Sequence, residues 1–528
     1  MQYPMRYDHV SDDEVIKAGG LVIDLDEIAR KGGMSKEEKN IAKWYGIYSS
    51  RQAGNHMARI VIPGGVISSI QARNIAAVSE KYAQGRLNIT TRQAIQLHWL
   101  KVGNLANMIR ELSKEGNTTK HGCGDVTRII ASCPLAETCR YRRLNVRPYA
   151  QKTQKYLGEA ADLNDLPRKF KITYSGCPAG CAQPYINCVG VVGVQREVDG
   201  KPEVGFEVVI GGGMGWKPFV AQKLFTFVPE NRILQVCRAV ALLFRDHGDR
   251  FNRAKSRLKF VVDKYGIEKC RDIIIANLKQ ENVDIRGIEH EPITETGVAF
   301  PDRPLTEEDP IGTDGNATVR AIVPMGELDF VALRRLAELT ELYGDQKIYT
   351  TNRQNIELKG IQAKDIPAVK KEIEKLGFGT GGSFGLRDIV PCVGTTYCPK
   401  AVSTTRDLYK AVMEVVSREK YRPIEKQAVV NITGCPNSCS PYRIADIGFR
   451  GMRIREELGS VEGYEILIGG RQNDFGRKLG EFKFEDCAGV VEKVLDHFIE
   501  INQDGETLTD CVRRVGIDAF KEAVFHAV

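Results

Sequence analysis

Nowhere in this 528-residue chain does an apolar run reach the roughly eighteen residues a membrane-spanning helix needs, so membrane insertion is not expected. The N-terminal stretch MQYPMRYDHVSDDEV has no basic-then-apolar export signal, and a cytoplasmic location is the expectation. Blocks of like charge are missing too. Lys and Arg total 75 against 68 Asp and Glu, and the net charge of +7 is spread along the chain. That pattern gives recognition of nucleic acid no support. A dinucleotide fingerprint is also lacking. IGGGMG at 210–215 follows a strand-like run, but it does not supply G-x-G-x-x-G in a β-α-β unit with a downstream acid. With no evident flavin or nicotinamide domain, any electrons the chain uses must come from a partner.

Cysteine, by contrast, is plentiful. Fourteen are present, many for a chain expected in a compartment where disulfides are disfavoured. Eight fall into pairs: Cys133 and Cys139, Cys177 and Cys181, Cys392 and Cys398, Cys435 and Cys439. The other six (Cys123, Cys188, Cys237, Cys270, Cys487, Cys511) are scattered and read as small buried hydrophobes. Apolar content of 42% and charged content of 27% are ordinary globular values. The length requires several domains.

The pairs recur because the chain is a repeat. CPLAETC at 133–139 answers CVGTTYC at 392–398, and GCPAGC answers GCPNSC 258 residues later. VVIGGGMG at 208–215 answers ILIGGRQ at 466–472, ARIVIPGG at 58–65 answers VRAIVPMG at 319–326, and TTRQAIQL at 90–97 answers TNRQNIEL at 351–358. A duplication of about 260 residues is too long for a solenoid repeat. In each copy a β-α-β-β-α order, 59–116 and 319–377, predicts a ferredoxin-like half. A cysteine-bearing α/β segment follows each. The expected units are an N-terminal extension (1–45), a first ferredoxin-like half (46–118), a first cysteine domain with a basic helical connection (119–300), a second ferredoxin-like half (301–380) and a second cysteine domain (381–528). Residues 301–315, rich in Pro, Asp and Gly, read as the linker.

Thiols spaced C-x5-C then C-x3-C, about forty residues apart, suit an iron–sulfur cluster. Zinc is the competing ligand, but its pairs are normally two to four residues apart, and the step from Cys392 to Cys398 is wider. Glycine and proline around Cys435 and Cys439 let the backbone turn tightly and aim N–H groups at sulfur.

Together, C-x5-C with GCPNSC, the upstream TTRQ, RKFK at 168–171 and the doubled α+β layout resemble the siroheme-containing sulfite and nitrite reductases, over residues 45–528. The resemblance implies an α+β fold of two pseudo-symmetric ferredoxin-like halves, each followed by a domain of the siroheme and 4Fe–4S type. It implies that Cys392, Cys398, Cys435 and Cys439 hold a 4Fe–4S cluster, with Cys439 bridging to siroheme, a tetrapyrrole of eight carboxylates. It further implies that Arg59, Arg128, Lys169 and Lys171 surround the substrate anion, and that Arg92, Gln96 and His98 contact the cofactor. Arginines fix oxygens with paired donors, while lysines add compact charge and can donate protons. Six-electron reduction of sulfite to sulfide is the expected reaction. Nitrite is the alternative substrate, and a non-catalytic electron-transfer subunit the alternative role. Lys171 favours sulfite, because nitrite-reducing relatives often have a neutral residue there. Ferredoxin or a separate reductase subunit is the expected donor, and the chain could oligomerise.

The chain departs from the simplest family pattern in having a second full cysteine set, Cys133, Cys139, Cys177 and Cys181, expected to hold a second cluster. The pocket facing it keeps Arg320, Arg353 and Arg387, expected as cofactor-binding residues, at the places of Arg59, Arg92 and Arg128, but Gln427 and Val429 replace the two lysines. One competent site out of two is therefore expected.

Overall fold

The computed structural model describes residues 11–300, 308–457 and 459–525. The first copy contains strands β1 (Ile47–Ser49), β2 (Asn55–Ile60), β3 (Val66–Ser68), β4 (Arg86–Ile89), β5 (Ile95–Lys101), β6 (Ala131–Ser132), β7 (Ile172–Ser175), β8 (Val189–Val198), β9 (Lys201–Ile210) and β10 (Gln222–Pro229). The second contains β11 (Ala317–Ala321), β12 (Glu327–Asp329), β13 (Lys347–Thr350), β14 (Ile356–Ile361), β15 (Val390–Pro391), β16 (Val430–Thr433), β17 (Ile447–Glu456), β18 (Gly459–Ile468) and β19 (Arg477–Lys483).

The ferredoxin-like elements form where periodicity places them, but they do not make two separate units. One sheet runs β1-β2-β5-β4-β12 and the other β11-β14-β13-β3, so each half lends a short strand to its mate's sheet. Glu327 lies opposite Asn88, and Lys347 opposite Ser68. A single apolar core results, running from Ile28 through Leu112 and on through Ala317 to Phe378. Helices Ser69–Tyr82 and Phe330–Tyr343 carry reciprocal ion pairs across the dyad, Arg73 to Glu341 at 2.6 Å and Arg334 to Glu80 at 2.5 Å. Exposed pairs of this kind contribute about 0–1 kcal/mol each and mainly set register.

Each cysteine domain is built on a five-stranded mixed sheet, β10-β9-β8-β7-β6 or β15-β16-β17-β18-β19. The cysteine-bearing edges are parallel (β6-β7-β8 and β15-β16-β17), and the rest is antiparallel. The basic stretch read as a connection is helix Leu258–Gln280, interrupted at Gly266. Its C-terminal echo is the pair Leu508–Val515 and Ile517–Phe525, broken at Gly516. The first seven residues of the expected linker, 301–307, lie outside the described residues.

Candidate active site

Cys392 follows β15 directly, Cys398 ends the turn of helix Gly394–Tyr397, and Cys435 and Cys439 sit in the loop after β16. The Cys392 N–H donates to the Ile432 carbonyl at 2.9 Å, and the Gly434 N–H points back at the Cys392 sulfur at 3.2 Å. The first half holds this loop down. Thr91 Oγ1 donates to the Cys439 carbonyl at 2.8 Å, and Ser438 Oγ to the Met214 carbonyl at 2.8 Å. Burial and the neighbouring Cys439 push the Cys392 thiol up to about 12, and burial leads a rise at Cys398 and Cys435 to which Cys439 also contributes. Thiols crowded in this way lose their mutual repulsion when they ligate iron as thiolates. Among the described residues no group of three or more His, Cys, Asp or Glu is gathered tightly enough for one metal ion. Zinc needs its sulfurs within about 2.3 Å of one point, whereas a cluster spreads them over separate irons.

The cations come from the first half. Arg59 on β2 and Arg128 meet at one carbonyl: Arg59 Nη1 donates to Gly122 O at 3.2 Å, and Arg128 Nη1 to the same oxygen at 3.4 Å. Arg128 also donates to Gly124 O at 2.7 Å and to the Tyr48 hydroxyl at 3.5 Å. Arg59 Nε is buried with no partner. Lys169 and Lys171 lie in the extended lead-in to β7 rather than in the strand itself. Phe170 between them is fully buried, so the two lysines share the opposite face. Burial, then Arg257 and Lys171, hold Lys169 well below the usual ammonium range. Burial, Arg92 and Arg257 bring Lys171 down to about 7. Cys439 opposes both shifts, which places the back-half thiol within electrostatic reach of the front-half lysines.

The halves differ in what neutralises their arginines. Arg59 lies opposite Gln96 in the β2–β5 ladder, and Arg320 opposite Glu357 in β11–β14. Arg320 Nε is 3.2 Å from Glu357, Arg353 Nε is 2.5 Å from Asp388, and Arg387 Nε is 3.0 Å from Glu425. Among the described residues no carboxylate lies within ion-pairing distance of Arg59, Arg92, Arg128, Lys169 or Lys171. Arg92 spends its donors on neutral groups instead: Ile129 O at 3.2 Å, Ile172 O at 2.9 Å and Asn187 Oδ1 at 2.9 Å. Gathered cations without counter-charges are costly to bury, and a polyanionic cofactor with a substrate anion answers that cost. The residues therefore fit siroheme. Arg320, Arg353 and Arg387 already hold carboxylates and stand apart from this set.

Gln96 and His98 are both buried on β5. Gln96 Nε2 approaches Met57 Sδ at 3.4 Å. His98 stacks on Tyr397, with ring centroids 3.9 Å apart and neither ring nitrogen partnered. Burial, aided by Arg406 and Arg59, lowers it to about 3, so it is neutral. Sequence reasoning missed Arg257, which adds charge beside the lysines, and Lys259, which adds charge beside Arg257. Their alternation in SRLKF, inside the stretch taken for a connecting helix, was the available signal.

A duplicated ferredoxin-like core, a spread four-cysteine set and an unneutralised cationic cleft define a siroheme- and cluster-dependent oxidoreductase. The family described as "Nitrite and sulphite reductase 4Fe-4S domain" matches residues 123–282 and 383–527, and the "Nitrite/Sulfite reductase ferredoxin-like half domain" matches 48–115 and 311–376. The chain belongs to the nitrite and sulfite reductase family, whose cofactors are siroheme and a 4Fe–4S cluster. It is 30% identical to the assimilatory ferredoxin-dependent nitrite reductase of Haloferax mediterranei, over 94% of this chain and 90% of that one. To the ferredoxin sulfite reductase 2 of Mycolicibacterium paratuberculosis it is 28% identical, over 94% and 92%. The solved structure of the Mycobacterium tuberculosis NirA protein superposes with a TM-score of 0.87 at 27% identity, covering 97% of both chains. No helix of the described residues is long and apolar enough to cross a membrane.

Proposed function

We propose that this chain reduces sulfite to sulfide at a site formed by back-half thiolates and front-half cations. When bound, siroheme and the cluster held by Cys392, Cys398, Cys435 and Cys439 supply the electrons. Arg59 and Arg128, joined at the Gly122 carbonyl, orient the oxyanion through their remaining donors. An anion bound beside them favours the ammonium forms of Lys169 and Lys171 against the burial that lowers both. With an ammonium brought down to about 7, Lys171 exchanges a proton readily near neutrality. The observation that carries this reading is a carboxylate-free cation set in the first half, onto which Thr91 ties the Cys439 loop of the second. Relatives named for nitrite and for sulfite each align over 94% of this chain. Sulfite is favoured here because it carries up to two charges to nitrite's one, and two lysines suit the greater charge. Ferredoxin, named in those relatives, is the donor we assign.

Steady-state constants for both anions test the reading. Lys171→Gln is expected to lower kcat/KM for sulfite more than for nitrite, with the siroheme absorbance unchanged. Equal losses on both anions would remove the preference for sulfite, and unchanged turnover in both Lys169→Ala and Lys171→Gln would remove the site assignment.

A further inference from the structure

The first cysteine set reproduces the second nearly bond for bond. Cys133 N–H donates to Tyr174 O at 2.9 Å, as Cys392 does to Ile432 O. Gly176 N–H points at the Cys133 sulfur at 3.1 Å, as Gly434 N–H does at Cys392. Asn352 Nδ2 donates to the Cys181 carbonyl at 2.9 Å, the counterpart of Thr91 and Cys439. Cys133, Cys139, Cys177 and Cys181 together line one pocket. Cys133 and Cys181 are close enough to share a hydrogen bond. Such a set, like its twin, is too spread for one ion.

The face over these thiols is built differently. Arg320 and Phe384, both from the second copy, close the pocket. Arg320 is tied to Glu357, and Phe384 stands where the 259-residue offset puts Asp125 in the first copy. Gln427 and Val429 occupy the lysine positions. We propose that Cys133, Cys139, Cys177 and Cys181 hold a second 4Fe–4S cluster, capped by Phe384 and Arg320, that carries electrons and takes no substrate. The claim rests on the back-half cysteines being a cluster site, whose geometry it copies.

The test is acid-labile sulfide, iron, zinc and extractable siroheme per chain in anaerobically purified holoenzyme, with electron paramagnetic resonance after reduction. About eight sulfides per chain are expected. Cys177→Ser should halve that number and remove one resonance signal while the siroheme bands persist, whereas Cys435→Ser should disturb the siroheme bands and leave the other cluster. About four sulfides in the unsubstituted protein, with or without one zinc, would overturn the proposal without requiring any variant to fold. Failure of the underlying reading looks different: siroheme absent, or present with bands indifferent to Cys435→Ser. Phe384→Ala should speed bleaching of the Cys177-dependent signal by a chelator, and an unchanged rate would remove the cap.

Discussion

Gln96 and Glu357 are almost the same shape, and one negative charge separates them. Each faces an arginine across an antiparallel ladder, so the exchange decides whether that arginine awaits an anion or already has one. Gln96→Glu should give Arg59 an internal partner. A hydrogen bond to a charged group is worth about 1.5–3 kcal/mol, so kcat/KM for sulfite should fall about 10- to 100-fold, measured beside the parent with the siroheme bands as a control. A second residue sets a pH limit. His121, buried and near Lys120, is lowered to about 4 by burial first and that charge second. An unfolded histidine titrates near 6.5. Between these values the unfolded chain takes up a proton that the folded one refuses, so stability present above about 6.5 is lost as pH falls toward 4. From pH 7 to 5 this site should cost about 2 kcal/mol. His121→Asn should flatten that part of the profile in urea unfolding, and a profile as steep as the parent's would contradict it.

Among the elements, the turns holding Arg92-Gln93 and Arg353-Gln354 join the copies. Gln93 and Gln354 both adopt a left-handed backbone, φ 60° and 63°. Gln93 Nε2 donates to Thr350 O, and Gln354 Nε2 to Ile89 O, each at 2.9 Å across the dyad. The symmetry fails at the oxygens: Gln93 Oε1 accepts from Ser132 N–H at 2.8 Å, while Gln354 Oε1 is buried without a partner. Gln93→Ala leaves two buried groups unmet and Gln354→Ala one, so Gln93→Ala should be the more destabilising by about 1 kcal/mol in urea unfolding. These glutamines mark how far the sequence can be read. The repeat, the β-α-β-β-α halves and the cysteine loops are local in spacing and could be placed. The exchange of β3 and β12 could not, because three-residue strands pair across more than two hundred residues and leave no periodicity. Glu357 was visible as the partner of Gln96 in TTRQAIQL and TNRQNIEL, yet its role depends on cross-strand register. Asp388 and Glu425 are closer to invisible, since only the fold brings them to Arg353 and Arg387. Lys169 and Lys171 precede the ladder, which starts at Ile172, and an isolated bridge from Phe170 to Thr127 keeps that lead-in extended.

Across the whole molecule, residues ahead of the repeat act on the site through its frame. Helices Asp12–Ala18, Leu25–Lys31 and Lys36–Ile41 precede a turn carrying Trp44. Trp44 Nε1 donates to Asn164 O at 2.8 Å and Lys17 Nζ to Leu166 O at 3.2 Å, three to five residues before Lys169. Lys17 also pairs with Asp165 at 2.7 Å, Arg250 reaches both Glu14 and Asp165, and Arg253 bridges Asp13 and Asp125. The buried Lys17–Glu14 pair makes this joint sensitive, because removing one partner strands the other charge. The extension therefore clamps segment 164–166 and fixes where the lysine lead-in starts. Lys17→Met should leave Glu14 with Arg250 alone and loosen that clamp, costing about 2 kcal/mol, somewhat less than the loss of a sole buried partner. Its signature should be faster proteolysis within 160–168 and a lower kcat for sulfite, with cluster and siroheme content unchanged. Should kcat and the cleavage rate both match the parent while stability falls, the extension would be packing against the fold without positioning Lys169 and Lys171.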